Sequence, residues 1–215
     1  MSISDIQAIC SQLLTPDDLA VDDKLFEQVL KEKIVTKILE NKKIKYIKIF
    51  SKEQLFLSHI TPLLHNIGFE IIDEVTYNVA NNNELIYISR FNLNIENFEQ
   101  IEKAKENLET IISYSLKDCT VKHSKAFSLV YTQNLDLRKV SLLRAFIEYI
   151  DQAVLTINSA TILNTLTQNH KLASMFVKYF ITKFEPNIHQ RVSKLEEVEN
   201  SIKEAIKKIE LYIYK

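Results

Sequence analysis

Glycine is nearly missing from this chain: one residue, Gly68, in 215, where about 7% is usual. A dinucleotide-binding G-x-G-x-x-G, a phosphate loop G-x-x-x-x-G-K and a nucleophile elbow G-x-S-x-G each need at least two glycines. None of them can exist here. The two cysteines, Cys10 and Cys119, lie far apart in sequence. They have no C-x-x-C metal or redox spacing and read as free buried thiols. Neither charge sign is in excess, since Lys+Arg 27 against Asp+Glu 28 give a formal net charge of −1. A global basic field for a nucleic-acid backbone is therefore lacking. No window of about 18 apolar residues is long enough to span a membrane. The opening MSISDIQAIC has neither a basic stretch nor a long apolar one, so it does not read as a signal peptide. A cytoplasmic location is the expectation.

What is there is a chain that changes character twice. Residues 1–42 read as helical. Ile6, Ile9, Cys10, Leu13 and Leu14 share one face, Thr15-Pro16-Asp17-Asp18 starts a second helix, and Leu25, Phe26, Val29, Leu30, Ile34 and Ile38 continue the stripe to Asn41. Residues 43–122 mix periods. Lys43 to Phe50 is rich in isoleucine and aromatics and predicts a strand. Leu57, Ile60, Leu63, Leu64 and Ile67 predict a short helix, with Pro62 tolerable only in its first turn. Gly68 follows directly, where a helix C-terminus wants a left-handed residue. Phe69, Ile71, Val75, Tyr77 and Val79 predict a strand with one core face, and Asn81-Asn82-Asn83 a turn. Leu85, Tyr87, Phe91 and Leu93 return, and Asn97 caps a long helix. This β-α-β-β-α order predicts an α+β, ferredoxin-like unit, whose full form ends in one more strand. Cys119-Thr120-Val121 is the weak candidate for it.

Residues 123–215 read as an all-α module. Short helical piece Ala126–Gln133 precedes a longer helix begun by Asp136, with Val140, Leu143, Ile147 and Ile150 on one face. Asn158 or Ser159 caps a third helix, and Asn169 opens a fourth that ends at Phe184-Glu185-Pro186. Val192, Leu195, Val198, Ile202, Ile206 and Ile209 suggest a long C-terminal amphipathic helix in want of a partner, inside or outside the chain.

The chemistry-bearing residues do not assemble into a site on sequence grounds. His59 and His65 are six apart, not the i, i+4 that places two ligands on one helix face; His123, His170 and His189 are scattered. Adjacent Asp73 and Glu74 point to opposite faces of a strand and cannot form an acid–base pair. Lys42, Lys43, Lys45 and Lys48 read as a solvated strand edge. Arg138 and Arg144 lie on one helix with Glu148 a turn beyond Arg144, so an Arg144–Glu148 pair is expected, with an anion or partner contact as the alternative. The Tyr and Phe stripe of the fourth helix reads as core. No catalytic, cofactor-binding or metal-ligating residue can be nominated.

Two segments nonetheless carry a resemblance. Leu57-Ser58-His59-Ile60-Thr61-Pro62-Leu63-Leu64-His65-Asn66-Ile67-Gly68-Phe69-Glu70-Ile71-Ile72-Asp73-Glu74 resembles the "LSdvlPvLEnlGlrVidE" segment of the large bacterial NAD-dependent glutamate dehydrogenases. Residues Leu135 to Gln152 resemble that family's "LsWReValLRAYakYLrQ", and Lys183-Phe184-Glu185-Pro186 its "RFDP". Leu137 stands where the family has Trp, His65 where it has Glu, and Phe146 where it has Tyr. The resemblance implies an ACT-like unit and a helical module lying upstream of a catalytic domain. It implies a non-catalytic regulatory or assembly role, with the parent's catalytic domain and neighbouring subunits as partners, and NAD bound only by that absent domain. Neither nucleic acid nor membrane is an expected partner. An amino-acid effector is a possible ligand of ACT-like units, but the loop Ser51-Lys52-Glu53-Gln54 lacks the glycine that allows close backbone approach. A stand-alone ACT-like amino-acid sensor and a helical protein–protein adaptor are the alternative readings.

Overall fold

Isoleucine at every second or third position from Ile44 onward builds the central strand of the computed structural model, which describes residues 23–41, 44–81, 84–95, 98–117, 124–153 and 158–213. The elements in chain order are α1 (Asp23–Glu32), β1 (Ile34–Asn41), β2 (Ile44–Ser51), α2 (Leu57–Ile67), β3 (Glu70–Asn81), β4 (Glu84–Asn94) and α3 (Phe98–Lys117). A 3-10 turn (Lys125–Phe127) leads into α4 (Ser128–Gln133), α5 (Leu137–Ala153), α6 (Ser159–Gln168), α7 (His170–Phe184) and α8 (Arg191–Ile213). The class is α+β: a four-stranded sheet with helices, then a helical module. The calls on residues 1–22, on Lys42 and Lys43, on Asn82-Asn83 of the predicted turn, on Asn97 and on Cys119-Thr120-Val121 lie outside the described residues.

The helical stripe predicted through Ile38 stops early. Helix α1 ends at Glu32, Lys33 takes a left-handed φ of 70°, and Ile34 opens β1. A spacing of four fits both periods: Ile34 and Ile38 share a face in a helix and also in a strand. The β-branched run Ile34-Val35-Thr36 decides for the strand.

That strand completes the sheet. The order is β1-β2-β4-β3, and every neighbouring pair is antiparallel. In the β2-α2-β3-β4-α3 unit, a closing strand after α3 would run beside β2. Strand β1, from the N-terminal side, occupies that place. Its outer edge is covered by α3, where Glu109 Oε1 accepts from the Ile38 N–H at 2.9 Å and Oε2 meets Lys37 Nζ at 3.3 Å.

The odd positions of β3 do not share one face. The register slips between Ile71 and Asp73, leaving Ile72 bulged outward and 65% exposed. A one-residue insertion turns everything beyond it to the other side. Phe69 and Ile71 therefore join the main core. Tyr77 and Val79 pack on the opposite face with Phe26 and Val29 of α1 and Ile86 and Ile88 of β4.

Strand β2 is interior, so the predicted solvated edge is corrected at Lys48, while Lys45 is half-buried. Lys48 is only 4% exposed. It stands in a cross-strand row with Lys37 and Arg90. The Tyr46 ring receives the Lys48 ammonium at 5.7 Å and the Arg90 guanidinium at 4.3 Å, a cation–π arrangement that offsets part of the desolvation.

Helix α2 also departs from expectation. Pro62 lies inside it, past the first turn. The lost backbone hydrogen bond falls on the exposed side, since Ser58 and Pro62 both face solvent. Ile60, Leu63, Leu64 and Ile67 are fully buried. At about 1.5–3 kcal/mol each, their burial exceeds the ~3 kcal/mol helix penalty of proline. Gly68 then closes the helix with φ 105°; its N–H donates to His65 O at 3.0 Å, and Phe69 N–H to Leu64 O at 3.0 Å, the Schellman pattern.

The main core runs without a break from the sheet through α2 and α3 into the helical module. Ile47, Phe91, Leu63 and Ile112 belong to the same cluster as Phe127, Val140, Ile147, Leu166 and Val177. Helix α7 has two buried sides: Ala173 and Val177 face this core, while Leu172 packs with Val198 and Ile202 of α8. The C-terminal helix thus finds a partner within the chain.

Candidate functional site

Two segments that carry the family resemblance meet at one place. The start of α5 and the end of α7 border a cavity of about 780 Å³. Asp136 begins α5: its Oδ1 accepts from the Lys139 backbone N–H at 2.9 Å, and its Oδ2 from Lys139 Nζ at 2.7 Å. Partial burial pushes the Asp136 carboxyl up, but these hydrogen bonds and the Lys139 charge outweigh it and hold it below the ordinary carboxylate range. Across the cavity, α7 ends at Glu185, whose extended backbone precedes Pro186. Arg138 Nη2 lies 4.0 Å from Glu185 Oε2, with Arg138 90% exposed, so this pair adds little stability. The Arg191 guanidinium donates to Glu185 O at 2.7 Å and holds the α7–α8 turn.

Aromatic rings line the apolar side. Phe146 meets Phe180 edge-on at 4.7 Å, and Phe180 meets Phe184 at 4.5 Å. Phe184 remains 58% exposed and Phe176 is also exposed. The predicted core stripe of the fourth helix holds in part: Tyr179 packs against the cluster of Leu172, Val198 and Ile202, but the fully buried positions are Leu172, Ala173, Val177 and Thr182. A helix buried on two sides leaves its aromatics on the borders, and periodicity could not choose between the faces. On α8, Val192 and Ile206 likewise fall outside the packed face, which runs through Val198, Ile202, Ala205 and Ile209.

A second cavity, of about 400 Å³, opens where α2 of the sheet-bearing unit meets the 3-10 turn, α5 and α6. Arg144 and Glu148 both line it. The expected pair between them is not made: among the described residues neither side chain has a hydrogen bond or ion pair. Arg144 instead lies 5.7 Å from the Phe127 ring.

The other singled-out residues stay apart. His59, His65 and His189 are exposed and His170 is half-buried; His123 lies outside the described residues. Asp73 accepts from Asn92 Nδ2 at 2.7 Å, whereas Glu74 accepts from the Thr76 hydroxyl; they lie on opposite faces of β3. Among the described residues no group of three His, Cys, Asp or Glu could hold a metal ion, and no helix is long and apolar enough to cross a membrane. The loop after β2 is tied down by the Lys52 N–H donating to Lys33 O at 2.9 Å. Nor do the residues present fit a dinucleotide. Such a site needs a glycine-rich turn opening a helix after a parallel strand, whereas Gly68 closes a helix and, among the described residues, the strands pair only antiparallel.

A four-stranded antiparallel sheet with two helices on one face, joined through its core to a helical module, defines the class: an ACT-like unit fused to a helical motif. The glutamate dehydrogenase ACT3 domain family matches residues 34–106, and the glutamate dehydrogenase helical motif 3 family matches residues 127–186. The ACT3 match begins at the first residue of β1. The NAD-specific glutamate dehydrogenase of Halomonas elongata is 26% identical over 147 residues, 68% of this chain and 9% of that protein. The NAD-specific glutamate dehydrogenase of Pseudomonas aeruginosa is 26% identical over 162 residues, 71% of this chain and 10% of that protein. The chain belongs to the large NAD-specific glutamate dehydrogenase family and spans about a tenth of the length of these relatives.

Proposed function

We propose that this chain is a non-catalytic regulatory and assembly segment of a large NAD-dependent glutamate dehydrogenase. The parent reaction converts glutamate and NAD to 2-oxoglutarate, ammonia and NADH, in the cytoplasm. The observation that carries the reading is the unbroken core joining the ACT3 and helical-motif units. A rigid double unit without a dinucleotide-binding turn is suited to set the positions of other parts and unsuited to hydride transfer. Phe184, exposed and lining the α5–α7 cavity with Phe180, offers an apolar surface to those parts, because large exposed apolar side chains mark contact sites.

The test is size-exclusion chromatography of a lysate of the source cells, followed with an antibody to this chain and by glutamate-dependent NADH formation. The antibody signal is expected to co-elute with the activity, far above the chain's own 25.1 kDa. A signal at that mass, separate from the activity, would overturn the assembly reading. NADH formation by the purified chain alone would overturn the non-catalytic one.

A further inference from the structure

The face of the sheet turned away from α2 and α3 is only half accounted for by α1. Phe26 and Val29 of α1 pack with Val35, Phe50, Ile86 and Ile88. The next cross-strand row on this face is Lys37, Lys48 and Arg90, and the row after it Leu39, Tyr46 and Asn92. Lys48 is 4% exposed, Arg90 8% and Tyr46 7%, while Leu39 and Val75 are half-buried. Among the described residues, Leu39, Tyr46 and Val75 belong to none of the hydrophobic clusters. Glu109 serves Lys37, and Arg90 Nε donates to Asn92 Oδ1 at 3.2 Å. Antiparallel sheets commonly leave one face in water, and side chains there are not enclosed to this degree. Lysine and arginine so deeply enclosed need both a cover and counter-charge. That cover has to suit three neighbouring cations, which repel one another, and an apolar strip beside them.

We propose that the cover is the chain's own N-terminal segment, residues 1–22, which lies outside the described residues. Helix α1 begins at Asp23 and lies on this same face, so the segment joins the layer beside it. It carries Asp5, Asp17, Asp18 and Asp22 and neither lysine nor arginine, the charge that the row of cations needs. Its stripe of Ile6, Ile9, Cys10, Leu13 and Leu14 is the apolar complement of Leu39, Tyr46 and Val75. As a helix, at ~1.5 Å per residue, such a segment spans about 33 Å, more than the roughly 15 Å across four strands. Docked there, it makes the sheet the middle of three layers and closes this face to other acidic partners. The proposal rests on the sheet's own burial and charge and stands whether or not the chain serves a dehydrogenase.

The test uses the full chain with Cys119→Ser, which leaves Cys10 as the single native thiol. Ile44→Cys places a second thiol on the covered face, at an exposed position two residues before Tyr46. His59→Cys places one on α2, on the other side of the sheet, and is the control. With a short bis-maleimide, an intramolecular cross-link to Cys10 is expected for Ile44→Cys and none for His59→Cys. Lys48 gives the second readout, through acetylation followed by peptide mass mapping. It should react slowly in the chain with its natural segment and about tenfold or more faster in Leu13→Asp, which sets a charge into the docked stripe. Slow amide exchange in α3 of that variant shows that the main core stays folded. Absence of the Ile44→Cys cross-link, or equal cross-linking at both positions, would overturn the proposal, as would Lys48 reacting alike in the two chains. Cross-links formed only between two chains would hand the cover to a second copy and overturn it as well.

Discussion

Asp136 shows how much a single side chain can organise. It satisfies a free N–H of α5 and neutralises Lys139 in the same turn. Replacing it with alanine should cost about 1 kcal/mol, measured by urea unfolding. The carboxyl is held below its ordinary range in the folded chain. Its contribution is therefore fully present above the unfolded-state pKa and is lost as pH falls through the folded one. The stability gap between wild type and Asp136→Asn should be largest near neutral pH and shrink as pH falls through and below the ordinary carboxylate range. A gap that widened on acidification would refute the assignment. Ser115 is the opposite case. Its hydroxyl is buried without a hydrogen-bond partner among the described residues, a cost and not a gain. Ser115→Ala should raise stability by about 1 kcal/mol, seen as a higher melting temperature.

At the scale of elements, two local exceptions can be tested by removing their cause. Pro62→Ala restores a backbone hydrogen-bond donor on the solvent side of α2. The gain in helix propensity, up to about 3 kcal/mol, exceeds the unfolded-state entropy that proline removes, about 0.4–1 kcal/mol. Thermal melting should show net stabilisation. Glu109→Ala does the reverse on the edge of the sheet. It strips the acceptor from the Ile38 N–H and should cost about 1–3 kcal/mol, with faster amide exchange confined to β1. Exchange that stayed slow would mean α3 covers the edge without the carboxylate. These elements also show what the amino-acid order could reveal. Period and turn chemistry made β2, α2, β3, β4, α3 and the later helices legible, down to Gly68 as a helix end and a cap at Asn158 or Ser159, which is Asn158, its Oδ1 accepting from Thr161 N–H at 2.8 Å. The strand β1 was hidden because Ile34 and Ile38 satisfy two periods at once. The bulge at Ile72 was hidden because one inserted residue leaves the alternation looking intact. The charges of the junction cavity were hidden for a different reason. Local spacing pairs Arg144 with Glu148, and only the approach of α2, the 3-10 turn and α6 gives each of them a shared cavity to face.

For the whole molecule, the question is whether the two units are separable. Phe127 sits in the 3-10 turn between them and is among the largest fully buried side chains. It belongs to the cluster that contains Leu63 and Ile112 on one side and Val140 and Ile147 on the other. If that core is one cooperative body, Phe127→Ala should cost about 3–5 kcal/mol, and the loss should spread to both units. Amide exchange followed by mass spectrometry separates the alternatives, because globally protected amides report the global unfolding free energy. The most protected amides of β2 and β4 should exchange faster by the same factor as those of α5 and α7. If protection fell only in α5 and α7 while the sheet kept its own, the units would be independent. Equal loss in both would make the sheet and the helical module one mechanical unit, so that a strain placed on either would be felt by the other.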